Sequence, residues 1–147
     1  MPADAFWEFI QGGYIPPWEP ESHEQNTVVM DMAADVARRY ASAGYTTILE
    51  GIVLPQWFLD PVRAVLAEAG CSVSYAVLRA PLEQCIKRAG ARDFKPVEDP
   101  AVVEQVWRQF SDLGRWEPHA IDVRDATPDD VAELLARRLA AGDLLCP

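Results

Sequence analysis

Residues 45–53 read Tyr45-Thr46-Thr47-Ile48-Leu49-Glu50-Gly51-Ile52-Val53, a run rich in β-branched side chains between Gly44 and Pro55. Such side chains fit a pleated surface, and Gly and Pro punctuate the ends, so the run predicts a buried strand. Glu50 and Gly51 interrupt it near its carboxyl end. An acid in apolar surroundings is costly without a partner, so Glu50 reads either as a site residue or as half of an ion pair with an arginine.

Upstream, Ser22 with Gln25 fits a capping box. Val29, Met32, Ala33, Val36 and Tyr40 then recur at helical spacing until Gly44 closes the helix. Residues 4–11 predict a short helix with Phe6, Phe9 and Ile10 on one face, ended by Gly12 and Gly13. Between the two, Pro16, Pro17 and Pro20 around Trp18 force a loop. Downstream, Asp60 as N-cap, Pro61 as first helical residue and Gly70 as terminator frame a helix carrying Val62, Val65 and Leu66. A second strand is expected over 72–78 and a helix over 82–89. A polar loop then runs to Asp99-Pro100, which opens a helix through Phe110. A third strand covers 120–123, and Thr127-Pro128-Asp129-Asp130 starts the last helix before Val131, Leu134, Leu135 and Leu139. Strands separated by helices give an α/β fold, a parallel sheet flanked by helices. Three strands are few for such a sheet, so the sheet reads as incomplete.

At 147 residues and 16.4 kDa, half of them hydrophobic, the chain has the length of one domain over 1–147. A net charge of -10 argues against nucleic acid and membrane surfaces as partners. Met1 precedes an acidic, aromatic stretch instead of a basic leader, and no apolar run approaches a membrane span, so a cytoplasmic protein is expected. Cys71, Cys85 and Cys146 form no Cys-x-x-Cys pair, and His23 and His119 lie far apart in sequence, so no metal site is expected. No Gly-x-x-x-x-Gly-Lys-Ser/Thr phosphate loop occurs, and the only lysines are Lys87 and Lys95.

The order of features resembles small-molecule kinases of the P-loop superfamily, the group of gluconate, shikimate and adenylylsulfate kinases and antibiotic phosphotransferases. Asp4-Ala5-Phe6-Trp7 is similar to the segment after that family's second strand, and 45–53 to its third strand. Leu78-Arg79-Ala80-Pro81, followed by Arg88 and Arg92, resembles the fourth strand and the arginine-bearing lid, where both lysines also fall. Residues 120–139 resemble the last strand and the helix beside the adenine pocket. The family's first strand, phosphate loop, first helix and second strand have no counterpart, so the chain resembles a kinase that starts late, with Met1 an internal methionine as one reading.

The resemblance implies roles. Asp4 would take the proton of the acceptor hydroxyl. Arg88 and Arg92 would close over nucleotide base and phosphates, with Arg124 and Arg79 as weaker nucleotide contacts. Trp7, Trp18, His23, Asn26 and Glu50 would surround a small hydroxylated metabolite or antibiotic, Glu50 through substrate or a magnesium-bound water. Trp57, Phe58, Trp107, Phe110 and Trp116 read as packing residues. ATP and Mg2+ are implied cofactors only where a phosphate loop is supplied, because transfer depends on positioning and charge stabilisation. The rival reading is a non-catalytic α/β interaction module that completes its sheet with a partner or as a homodimer.

Overall fold

Asn26, Val29, Met30, Ala33, Ala34 and Ala37 recur at three- and four-residue spacing and form the buried stripe of helix α1, His23–Ser42. A computed structural model describes residues 1–93 and 96–147 of this helix-rich α/β chain, in two compact units, Met1–Val73 and Ser74–Pro147. The stripe is rotated from the expected one: Met32 and Tyr40 are about half exposed. Two neighbours cause the rotation. Met30 packs with Ala3 and Phe58, and Ala34 packs with Val62 and Leu66 of helix α2, Asp60–Glu68. The expected capping box does not form, since Ser22 and Gln25 both bond the preceding loop instead.

Residues 45–53 are extended but do not form the expected buried strand. Their partner is the N-terminus: the Met1 amine donates to the Ile48 carbonyl (2.7 Å), the Glu50 N–H to Met1 (3.1 Å), and the Ala3 N–H to Glu50 (2.8 Å). This makes one parallel bridge, Pro2 with Glu50. Alternate residues of an extended chain bond toward opposite edges. The N–H and C=O groups of Thr47 and Leu49 therefore face the other edge, where they find no partner among the described residues. The buried Thr47 hydroxyl also lacks one. Leu49 and Val53 pack on the Ala3, Met30 and Phe58 cluster, whereas Tyr45, Ile48 (74 % exposed) and Ile52 face solvent. Gly51, at φ 154°, lets the N-terminus pass, because a Cβ there would lie 2.9 Å from that of Ala3.

A π-helical turn, Pro55–Leu59, runs directly into α2. Leu59, not Asp60, is therefore the N-cap, and the Asp60 carboxylate accepts from Arg63 at 3.2 Å.

In the second unit, strand β1 (Val77–Arg79) pairs in parallel with β2 (Ala120–Asp122), with Leu78 opposite Ile121. β1 is shorter than expected because the chain before it turns to other partners. Ser74 bridges Leu145, and Tyr75 donates its N–H to Leu144. Helices α3 (Leu82–Gly90), α4 (Pro100–Gln109) and α5 (Pro128–Ala141) follow the expected positions. Val131, Leu134 and Leu135 of α5 pack with Cys85 of α3 on Ala80, Ile121 and Val123. Thr127 and Asp130 form a capping box, and Gly142 ends α5 in the left-handed region. Among the described residues no helix is long and apolar enough to cross a membrane.

Candidate functional site

Three prolines make the loop before α1 turn, and a buried polar network fastens it. Glu19 donates its N–H to Pro16 (3.0 Å), and the short turn Pro20–Ser22 leads into the helix. The buried Ser22 hydroxyl lies 2.9 Å from the Pro17 carbonyl and 2.7 Å from that of Glu19. Asn26, 3 % exposed, donates to the Pro17 carbonyl and to Ser22 Oγ, both at 2.8 Å, and accepts from Trp7 Nε1 at 2.9 Å. Gln25 accepts the Ile15 N–H (2.8 Å) and donates back to its carbonyl (2.7 Å). Every polar atom of the Asn26 carboxamide is satisfied, as burial demands.

The network borders an open cleft of about 260 Å3, lined by Pro17, Glu19, Pro20, Ser22, His23, Asn26 and Trp57. The His23 ring stacks on Trp57 at 5.6 Å and 24°, and Trp57 leans on buried Phe58. Ser22 and Asn26 are engaged in the network; Glu19, which carries a carboxylate, His23, which carries an imidazole, and Trp57 complete the lining. Neither the carboxylate nor the imidazole is hydrogen-bonded by its side chain among the described residues. Such a cleft has an aromatic wall, its Trp57 ring stacked by His23 and Phe58, with a few polar side chains among its lining residues.

The structure brings together Trp7, His23 and Asn26. Trp18 is 40 % exposed and does not line the cleft. Asp4 is exposed in the first turn of the 3-10 segment Ala3–Phe9, whose N-cap is Pro2. That geometry eclipses residues three apart, so Asp4 lies one turn before Trp7 on the same edge. Glu50 is exposed, without an ion pair among the described residues, and its backbone holds the N-terminus. Exposure removes the burial cost that suggested a partner.

In the second unit, Arg88 and Arg92 are exposed on and just after α3, with no ion pair among the described residues. Arg124 pairs with Asp122 at 3.3 Å. Arg79 grips Glu117 through two bonds of 3.1 and 2.9 Å; that contact first, then the Leu113 N–H, holds the Glu117 carboxyl below its ordinary range. Lys95 lies outside the described residues. Sequence reasoning missed Glu19 and the second role of Trp57, which serves both as packing residue and as cleft wall. The available signal was position: Trp57 follows the carboxyl end of the 45–53 run, where open α/β sheets bind ligands.

Of a nucleotide site, the described residues bring arginines, and the sequence carries no phosphate-loop motif. A cradle needs free backbone N–H groups and a lysine. The α4 start is capped by the Asp99 carboxylate and that of α5 by Thr127 with Asp130, so acids already occupy those helix ends. No three His, Cys, Asp or Glu converge to hold a metal among the described residues. Among the described residues, then, a complete magnesium–triphosphate site is not assembled, and no step through one is derived.

None of the curated proteins compared with this chain matches it. The family model described as an AAA domain matches residues 14–113, more than half of the chain. The match spans the Pro-rich loop, α1, the 45–53 run, α2, β1, α3 and α4, while Trp7 of the network precedes it. The chain therefore belongs to the AAA domain family, within the nucleotide-binding, P-loop NTPase-like kinase superfamily.

Proposed function

We propose that the chain is a phosphotransferase-like protein whose first unit holds a small hydroxylated acceptor, and that transfer from Mg·ATP requires a phosphate loop from outside these 147 residues. The observation that carries this reading is the cleft over α1. Its wall is fixed by Trp7, Asn26 and Ser22, and among the described residues no hydrogen bond engages the Glu19 or His23 side chains that border it. Asp4, one 3-10 turn from Trp7, is the acceptor-side base in this reading, and Glu50 a second acceptor contact. Arg88, Arg92 and Arg124 are the nucleotide-side cations. Because Asn26 is fully bonded, its part is to hold Trp7 and the loop in place, as a positioning residue.

A binding map tests this. Hydroxylated small molecules should shift the amide and side-chain signals of Trp57, His23 and Glu19 in spectra of the whole chain, and Asn26→Ala should abolish those shifts by freeing the loop. Shifts confined to other residues would sink the assignment of the cleft.

The bare edge of 45–53 favours a second reading, a module that completes its sheet with another chain or a second copy. Unpaired strand edges recruit strands, and Ile48 and Ile52 add apolar surface beside this one. Sedimentation of the whole chain separates the two readings: a tight dimer that loses no affinity for hydroxylated ligands supports both, and a dimer with no ligand affinity supports the module alone.

A further inference from the structure

Helix α1 is apolar on two sides, and one core stripe is all that its own unit needs. On the second side Val28, Met32, Val36 and Tyr40 stand four residues apart, which sets them in one row over about 18 Å. Val28, Met32 and Tyr40 are 54 %, 44 % and 54 % exposed, and Val36 is half-buried. The Tyr40 ring meets that of Tyr45 edge-on at 6.1 Å, so the exposed Tyr45 extends the row past the helix end. One border of this row is acidic. Glu24, Asp31 and Asp35 follow at steps of seven and four residues, and all three are exposed. Asp35 is held by Arg38, whereas Glu24 and Asp31 have no ion pair among the described residues. The surrounding unit has the same sign: over residues 1–73 ten Asp and Glu stand against Arg38, Arg39 and Arg63.

We propose that this face of α1 docks a basic amphipathic helix of a partner protein, whose apolar residues lie along Val28, Met32 and Tyr40 and whose Lys or Arg side chains meet Glu24 and Asp31. A contiguous apolar patch with a polar border marks a protein contact, and a helix docked on a helix reads anchors at three- and four-residue steps. Charge selects the occupant. A second copy would set ten acids against ten, and nucleic acid or anionic lipid would meet the same repulsion. A basic helix instead meets two free carboxylates at the border of the row. Its length follows from the row, since about 18 Å corresponds to about 12 helical residues. None of Val28, Met32, Val36 and Tyr40 lines the cleft, so this contact is independent of the acceptor site.

Three synthetic peptides of about 18 residues test the proposal on the full-length chain: a helix with leucines on one face and lysines elsewhere, the same composition with the leucines scattered, and the first pattern with glutamate for lysine. Affinity is read by fluorescence anisotropy of the labelled peptide, and the site by the methyl NMR signals of Val28 and Met32. The patterned basic peptide should shift those methyls and bind about tenfold tighter than the scattered one, and the acidic peptide should not bind. Added salt should weaken the basic peptide. Met32→Ser keeps every charge and should weaken it about tenfold, while Glu24→Gln with Asp31→Asn should weaken it about threefold. All three side chains are exposed, and unchanged thermal melts would verify that the variants stay folded. Equal affinity for the scattered peptide, or shifts confined to residues away from Val28 and Met32, would overturn the proposal in favour of unspecific charge attraction. A dimer of the chain alone that Met32→Ser disperses in sedimentation would overturn it in favour of a second copy.

Discussion

Residues 45–53 and residues 120–142 carry opposite lessons. The first stretch has the stronger β-forming composition, yet it makes a single bridge and turns Ile48 and Ile52 to solvent. The second begins with an ordinary Ala-Ile-Asp triplet, yet every residue of β2 is in register with β1, and the helix after it is capped at both ends. The difference lies in partners. A strand is stabilised by cross-strand neighbours and by what covers its faces, so β-propensity without a second neighbour leaves half of the run exposed.

Breaking the well-partnered region should cost most. Ile121 is 4 % exposed among Ala80, Val123 and the α5 leucines, so Ile121→Ala should destabilise by about 3 kcal/mol in chemical denaturation. The matching insult to the poorly partnered region is Gly51→Ala, where both φ and the 2.9 Å approach to Ala3 resist a side chain. It should cost about 2 kcal/mol, with increased exchange at the Ala3 and Glu50 amides. Thr127→Ala removes the α5 cap and should cost about 1 kcal/mol.

Two pH effects sharpen the contrast, and both belong to the second unit. Burial, with Cys146 a smaller cause, pushes the Tyr75 phenol up to about 12. A raised folded value means stability present below the unfolded value near 10 and lost as pH rises toward 12. Thermal melts of Tyr75→Phe should therefore be flatter across that window. The Thr127 side chain, then its N–H, holds Asp130 below the ordinary carboxylate range. That contribution is present above the unfolded value and lost as pH falls through the depressed one, so Asp130→Asn should flatten the acid limb of the melting curve. Smallest of all, the double change Ile48→Lys with Ile52→Lys should move stability by no more than about 0.5 kcal/mol while lowering any self-association seen in sedimentation.

The legibility of the sequence follows the same division. Where local chemistry decides, it read through: Thr127-Pro128 and Asp99-Pro100 start helices, and Gly70 and Gly142 end them. Where distant partners decide, it did not. Ser22 and Gln25 have capping-box spacing, but a proline loop competes for both side chains. The α1 stripe that the sequence predicts lies to one side of Met30 and Ala34, because nothing local states that Ala3, Phe58 and Leu66 arrive there. At the site, Trp7, His23 and Asn26 were legible as polar and aromatic residues near the loop. The engagement of Asn26 by three partners was not, and neither was the stacking of His23 on Trp57.

The most direct test of the account is to incubate the 147-residue chain with Mg·ATP and the hydroxylated ligands that shift Trp57, and to follow phosphorus NMR. The proposed reading expects bound ligand, intact ATP and no phosphorylated ligand, because the cleft is present and the sequence carries no phosphate-loop motif. Transfer of the terminal phosphate by this chain alone would contradict it.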